Sequence, residues 1–243
     1  MLTIVGNGPS RKQYNLDELQ EWWGCNLIFE EYTPDMVFAV DIEIQSGVID
    51  SGYYKENKVY VGEWNSLDID MYEGISYAYT LSNYEGGLHK SFHDDDTHFI
   101  VQGNDYRVDF LGFNEKYLDN LVISDTIELR NLFSGMSALG HAMYNGYKEI
   151  TLIGFDALQY GEVGNVFEGC GRFGYLNRYT EESRVLSAQR SQFIALLKNF
   201  PDVNVYFKNK LDKLEKVDYN SLTYYENSEE WVLGRGFQYN TML

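Results

Sequence analysis

Apolar positions fall in short runs through the first sixty residues and at helical spacing in the second half. Leu2 to Val5 is a four-residue apolar run that stops at Gly6-Asn7-Gly8-Pro9-Ser10, which predicts a buried strand entering a turn. Residues 15 to 23, NLDELQEWW, place Leu16, Leu19, Trp22 and Trp23 on one helical face. Asn15 is a cap candidate for that helix, with Glu18 three positions on as capping-box partner and Gly24 as the stop. Asn26 to Phe29, Met36 to Val40 (ending at Asp41) and Val59 to Val61 predict three more strands. Strand and helix signals alternate at short intervals, which predicts an α/β fold with a mostly parallel, Rossmann-like sheet flanked by helices.

From about 66 to 112 the periodicity is poor and Gly, Tyr, Asp and His are frequent, so this stretch reads as a loop-rich insertion. Phe99 to Val101 and Arg107 to Leu111 read as a hairpin around Gly103-Asn104-Asp105. Helical spacing returns in Leu132, Phe133, Met136, Leu139, Gly140 and Met143, with Ser134 or Asp125 as the cap and Gly146 as the stop. Glu149 to Ile153 predicts a strand that delivers Gly154-Phe155-Asp156. A helix over 180 to 199, capped by Thr180, and a strand over Val203 to Phe207 follow. The tail after 211 carries no assignable pattern. With three prolines and no Gly/Ser linker, residues 1–243 read as a single α/β domain carrying the 66–112 insertion.

Composition narrows the function classes. The net charge of -18 repels phosphate backbones and anionic membranes. Cys25 and Cys170, far apart, build no disulfide framework or metal motif and point to a reducing cytoplasm. The opening residues lack a signal-peptide pattern, and no apolar stretch approaches the ~20 residues that span a bilayer. Aromatic residues make up 16%, which suits sugar or nucleobase pockets as well as a core.

The turn at Gly6 to Ser10 has two readings. Glycine at the carboxyl end of a strand permits a tight turn, and free backbone amides at the next helix start can cradle a phosphate. Asn7 and Ser10 would add polar side chains. The plainer reading is a βα turn with Pro9 near the helix start. It is neither a GxGxxG nor a Walker loop.

Two further stretches bear on that choice: GCNLIFEEYTPDMVFAVD, which carries Asn26 and Asp41, and FSGMSALGHAMYNGYKEITLIGFDA. With the opening turn, in this order, they resemble the signature segments of bacterial sialyltransferases of the Campylobacter type. They also resemble a related family that includes archaeal 6-hydroxymethylpterin pyrophosphokinases. The likeness covers about 1 to 41 and 132 to 157. It implies a nucleotide-binding site in which Gly6, Asn7, Gly8 and Ser10 meet the phosphate and sugar, and Asn26 reaches the donor. Ser134 and Gly135 would hold the base or ribose side. Gly154 and Asp156 would line the same cleft, with Tyr160 against the donor phosphate. Those sialyltransferases take their general base from a histidine downstream of the G-x-D strand, and this chain has no histidine after His141. Asp41 and Asp156 are then the carboxylates at strand ends, each a candidate base or ribose ligand.

The expected activity is transfer of a sugar from a nucleotide-sugar co-substrate to a hydroxyl of a glycan, a small molecule or a modified DNA base, with no cofactor required. The acidic charge weighs against the DNA acceptor. One alternative is a Mg²⁺-dependent diphosphotransferase acting on a pterin-like alcohol. Another is a binding module that kept the pocket without the chemistry. The run His89, His93, Asp94, Asp95, Asp96 and His98 suits magnesium or a harder transition metal, though an exposed acidic turn explains it more simply. His141 reads as a packing histidine. The glycine-rich stretch 164 to 179 reads either as a lid, with Arg172 meeting phosphate, or as a structural loop.

Overall fold

The computed structural model describes residues 1–41, 44, 45, 47, 48, 51–61, 100, 101, 110, 111, 120–123, 132–161, 164–168, 182–208 and 213–217. Among the described residues ten strands run in chain order: β1 (Leu2–Val5), β2 (Trp22–Cys25), β3 (Met36–Ala39), β4 (Val59–Val61), β5 (Ile100–Val101), β6 (Phe110–Leu111), β7 (Leu121–Ile123), β8 (Glu149–Ile153), β9 (Asn204–Lys208) and β10 (Leu214–Lys216). The main sheet has the order β10-β9-β8-β1-β2-β3-β4-β7, parallel throughout except for the β10–β9 pair. The fold is therefore α/β with a mostly parallel sheet. From β1 the chain steps outward through β2, β3 and β4, then returns to the other side of β1 at β8. The junction of β1 and β8 is thus the point where strand order reverses, and in open α/β sheets ligands bind at the carboxyl ends of strands at such a point. β5 and β6 form a separate antiparallel pair.

Both faces of the sheet are covered, so successive side chains are buried in different layers. Leu2 and Ile4 join Trp23, Phe38, Tyr60, Ile150 and Leu152 beneath two helices, α1 (Ser134–Tyr144) and α3 (Glu182–Asn199). Val5 points the other way, into a cluster with Leu16, Trp22, Ile28, Val37 and Ile153. A third cluster gathers Ala39, Val59 and Val61 with Leu27, Ile44, Val48 and Tyr54. Fully burying one such side chain stabilises the fold by roughly 1.5–3 kcal/mol, which makes these layers the main source of its stability.

Two expectations for the first forty residues are corrected. The helix expected over 15 to 23 is only a 3-10 turn, Leu16–Glu18, and Trp22 begins β2. Asn15 does cap the turn, accepting from the Asp17 amide at 3.3 Å and donating to Glu18 Oε1 at 2.8 Å. The two tryptophans decide the outcome. Adjacent residues of a strand face opposite layers, so Trp22 and Trp23 both reach 6% exposure within different clusters. The strand expected over Asn26 to Phe29 is a 3-10 helix, Asn26–Glu30. Its apolar run packs without extending because the chain turns at Asn26, whose φ is +53°.

The later elements lie close to their expected places. Strands at 59–61 and 149–153 match, and α1 stops at Tyr144, two residues before Gly146 with its φ of +84°. Ser134 is the first helical residue of α1 rather than its cap, which is Phe133. The unassigned tail supplies β10. Apart from β5 and β6, the stretch from 66 to 112 lies outside the described residues. So do Asp125, the His89 to His98 run, Cys170, Arg172, Arg178 and Thr180. Among the described residues no helix is long and apolar enough to cross a membrane.

Candidate functional site

The site is built from three strand ends. β1 opens into Gly6-Asn7-Gly8 and the 3-10 helix Pro9–Gln13, β2 opens into Asn26, and β8 opens into Gly154-Phe155-Asp156 and a short helix α2 (Asp156–Gln159). The first and third are locked together through main chain. The Gly6 amide donates to the Ile153 carbonyl at 2.8 Å, and the Gly8 amide to the Gly154 carbonyl at 2.9 Å. A Cβ on Gly6 would sit 2.6 Å from the Gly154 oxygen, and one on Gly154 would sit 2.7 Å from the Gly6 oxygen. Gly154 also has φ +71°. The glycines allow two backbones to meet where side chains would hold them apart.

Asp156 completes this lock. Its carboxylate is 2% exposed and accepts from Ser10 Oγ at 2.8 Å and from the Ser10 amide at 3.2 and 3.3 Å. The carboxylate expected to meet a substrate hydroxyl or proton meets Ser10 instead. The Arg11 amide donates to the Gly8 carbonyl at 3.1 Å. The amides of Gly6, Gly8 and Ser10 are all committed within the protein. A buried amide without a partner is costly, and here strand ends supply the partners.

Asn7 joins β1 to β2. Its Nδ2 donates to the Cys25 carbonyl at 2.9 Å, and its Oδ1 accepts from Arg11 Nη1 at 2.6 Å. Arg11, 3% exposed, also pairs through Nη2 with Glu31 and lies over the Phe167 ring at 4.9 Å. The Asn7 carbonyl accepts from the Val166 amide at 2.8 Å, so the segment 164–168 rests on the β1 turn. Burial pushes the Cys25 thiol up to about 12, against the pull of the Arg11 charge, so Cys25 is a packed, un-ionised thiol.

The α1 start differs. Ser134 Oγ donates to Asn26 Oδ1 at 2.5 Å, which brings the second and third sequence segments into contact. Phe133 is held by Gln192 of α3, whose Oε1 accepts the Phe133 amide at 3.0 Å. The Phe133 carbonyl takes the amides of Met136 and Ser137. Among the described residues the amides of Ser134 and Gly135 take no acceptor, as the first turn of a helix leaves them. Gly135 lies against Phe155, where a Cβ would be 2.7 Å from the ring. Asn26 is the one non-glycine residue at positive φ among the described residues, a conformation that is uncommon and clusters at functional sites.

Of the other expected site residues, Asp41 is exposed two positions beyond β3, and its carbonyl accepts the amides of Ile44 and Gln45. Tyr160 is 36% exposed at the end of α2. Arg172 lies outside the described residues. His141 is packed among the rings of Trp23, Phe38 and Tyr60 at 5.4 to 5.7 Å, and burial lowers its pKa. Arg11 and Gln192 went unmarked in the sequence. Neither stands in a pattern of its own, and only the folded chain shows that each is buried against a polar partner.

No protein-family model matches the chain, and no curated protein matches it. Among solved structures it is similar to the sialyltransferase CstII from Campylobacter jejuni in complex with the substrate analogue cytidine-5'-monophosphate. The identity is 12%, the coverage 96% of this chain and 98% of that one, and the TM-score 0.39. It is similar also to CstII in complex with CMP-3FNeuAc, at 12% identity, the same coverage and a TM-score of 0.41. Backbone correspondence at that level is loose, so the chemistry below rests on this chain's own residues.

Proposed function

We propose that the protein is a nucleotide-sugar-dependent glycosyltransferase. One observation carries the reading. The separate segments that resemble sialyltransferase signatures end at one place, joined by the Ser134–Asn26 hydrogen bond at the carboxyl end of the parallel sheet. There the α1 start offers the Ser134 and Gly135 amides to an anion, with the positive end of the helix dipole behind them.

In this mechanism the nucleotide phosphate lies at Ser134 and Gly135, and Asn26 contacts the donor. An acceptor hydroxyl attacks the anomeric carbon and forms the new C–O bond. The bond from that carbon to the phosphate oxygen breaks, and the nucleotide leaves with the electron pair. Asp41, exposed beyond β3, takes the hydroxyl proton. The α1 amides stabilise the charge that develops on the leaving phosphate. Asp156 acts by fixing Ser10, and Tyr160 and Arg172 contact the donor phosphate. With a net charge of -18, a glycan or small-molecule acceptor fits better than DNA.

A thermal-shift panel of CMP, UMP, UDP, GDP and ATP, each with and without Mg²⁺, tests the reading. A pyrimidine nucleotide should stabilise the chain without metal, by about 2.7 kcal/mol at a hundredfold excess over its Kd. Nucleotide release from the matching nucleotide sugar should follow. Stabilisation by ATP with magnesium alone would support the diphosphotransferase instead. Binding without turnover of any offered donor would leave a binding module.

A further inference from the structure

We propose that Arg11 is a positioning residue: it fixes the orientation of the Asn7 amide and, through it, the left-handed turn that presents Asn26. A guanidinium only donates and a carbonyl only accepts. With Arg11 Nη1 on one side of Asn7 and the Cys25 carbonyl on the other, the amide has a single satisfied orientation, Oδ1 toward Arg11 and Nδ2 toward Cys25. Cys25 is the residue immediately before Asn26, so the peptide joining them is held at its oxygen. That oxygen lies at the point where the chain leaves β2 and turns through φ +53°.

Arg11 is itself over-determined. Nη2 pairs with Glu31, which follows the 3-10 helix begun at Asn26, and the guanidinium stacks on Phe167. One planar group therefore touches the β1 turn, the far end of the Asn26 segment and the segment after β8. A buried arginine is expensive unless its donors are matched, and its rigid fork suits two acceptors at once. Neither the sheet nor the three core clusters require a charge here. Among its contacts, the guanidinium sets one amide.

The functional consequence rests on the nucleotide-sugar reading, whereas the geometric claim does not. In the wild-type chain with ¹⁵N-labelled asparagine, the Asn7 side-chain amide should exchange with water at least tenfold more slowly than that of the exposed Asn15. Arg11→Met should abolish that protection and weaken binding of CMP, or whichever panel nucleotide stabilises the wild type most, by tenfold or more. Val205→Ala, a core change in β9, is the control: it should lower Tm while leaving both readouts within twofold. A merely structural arginine would instead lower Tm and leave both readouts within twofold, as the control does, and that result overturns the proposal. Free-amide exchange of Asn7 in the wild type overturns it too, even if Arg11→Met fails to fold. If no nucleotide binds the wild type, the glycosyltransferase reading fails, while the exchange result still decides the role of Arg11.

Discussion

The β1 turn and the start of α1 both present glycine beside serine at the carboxyl end of the sheet, yet their backbones are used in opposite ways. At Gly6, Gly8 and Ser10 each amide already has a partner in β8 or Asp156. At Ser134 and Gly135 the amides take no acceptor among the described residues, and the serine hydroxyl is turned toward Asn26. A glycine motif after a strand can thus serve two purposes. One joins two backbones so closely that no side chain fits, and the other leaves donors open. The first region is a buttress and the second is the candidate anion site.

Alanine at one glycine of each region sharpens the contrast. In Gly8→Ala the new Cβ would lie 1.9 Å from Asp156 Oδ2 and 2.6 Å from the Gly154 oxygen. One of these is main chain that cannot yield, and moving the other breaks the Ser10 bonds, so the loss should be about 3 kcal/mol in urea unfolding. In Gly135→Ala the Cβ meets the edge of the Phe155 side chain at 2.7 Å rather than main chain, and alanine improves helix propensity by up to about 1 kcal/mol. Stability should change by less than about 1 kcal/mol, while nucleotide affinity falls about tenfold, or roughly 1.4 kcal/mol. Equal stability losses in the two variants would erase the distinction.

The smallest effect concerns the packing beneath α1. Burial among Trp23, Phe38 and Tyr60 favours neutral His141, so its folded pKa lies below the ordinary 6.5. The unfolded chain then takes up the proton first as pH falls, and stability declines from about 6.5 toward the folded value. Urea midpoints at neutral and mildly acidic pH should show a shallow acid loss that His141→Phe reduces. An unchanged slope in that variant would place the effect elsewhere.

How far the sequence revealed this arrangement depends on what each residue needed. β8, β4 and the end of α1 were legible because apolar periodicity and a glycine stop are local signals. β2 was not, because Trp22 and Trp23 satisfy a helical face and a two-sided strand equally until the layers on both sides are known. The meeting of Asn7, Asn26, Ser134 and Gly154 at one sheet end was legible through the motif order. The state of their donors was not. Whether an amide at Gly8 is open depends on the carbonyl of Gly154, nearly 150 residues away in the chain, and no local pattern encodes that. Asp156 was marked for its carboxylate, but Ser10 determined what the carboxylate does.

The central claim is that the donors of Ser134 and Gly135 are open, whereas those of Gly6 and Gly8 are taken. An ¹H–¹⁵N titration with CMP tests it most directly. The Ser134 and Gly135 amide resonances should move in proportion to occupancy, while those of Gly6 and Gly8 stay in place. Movement of Gly6 and Gly8 with Ser134 and Gly135 unchanged would contradict the account.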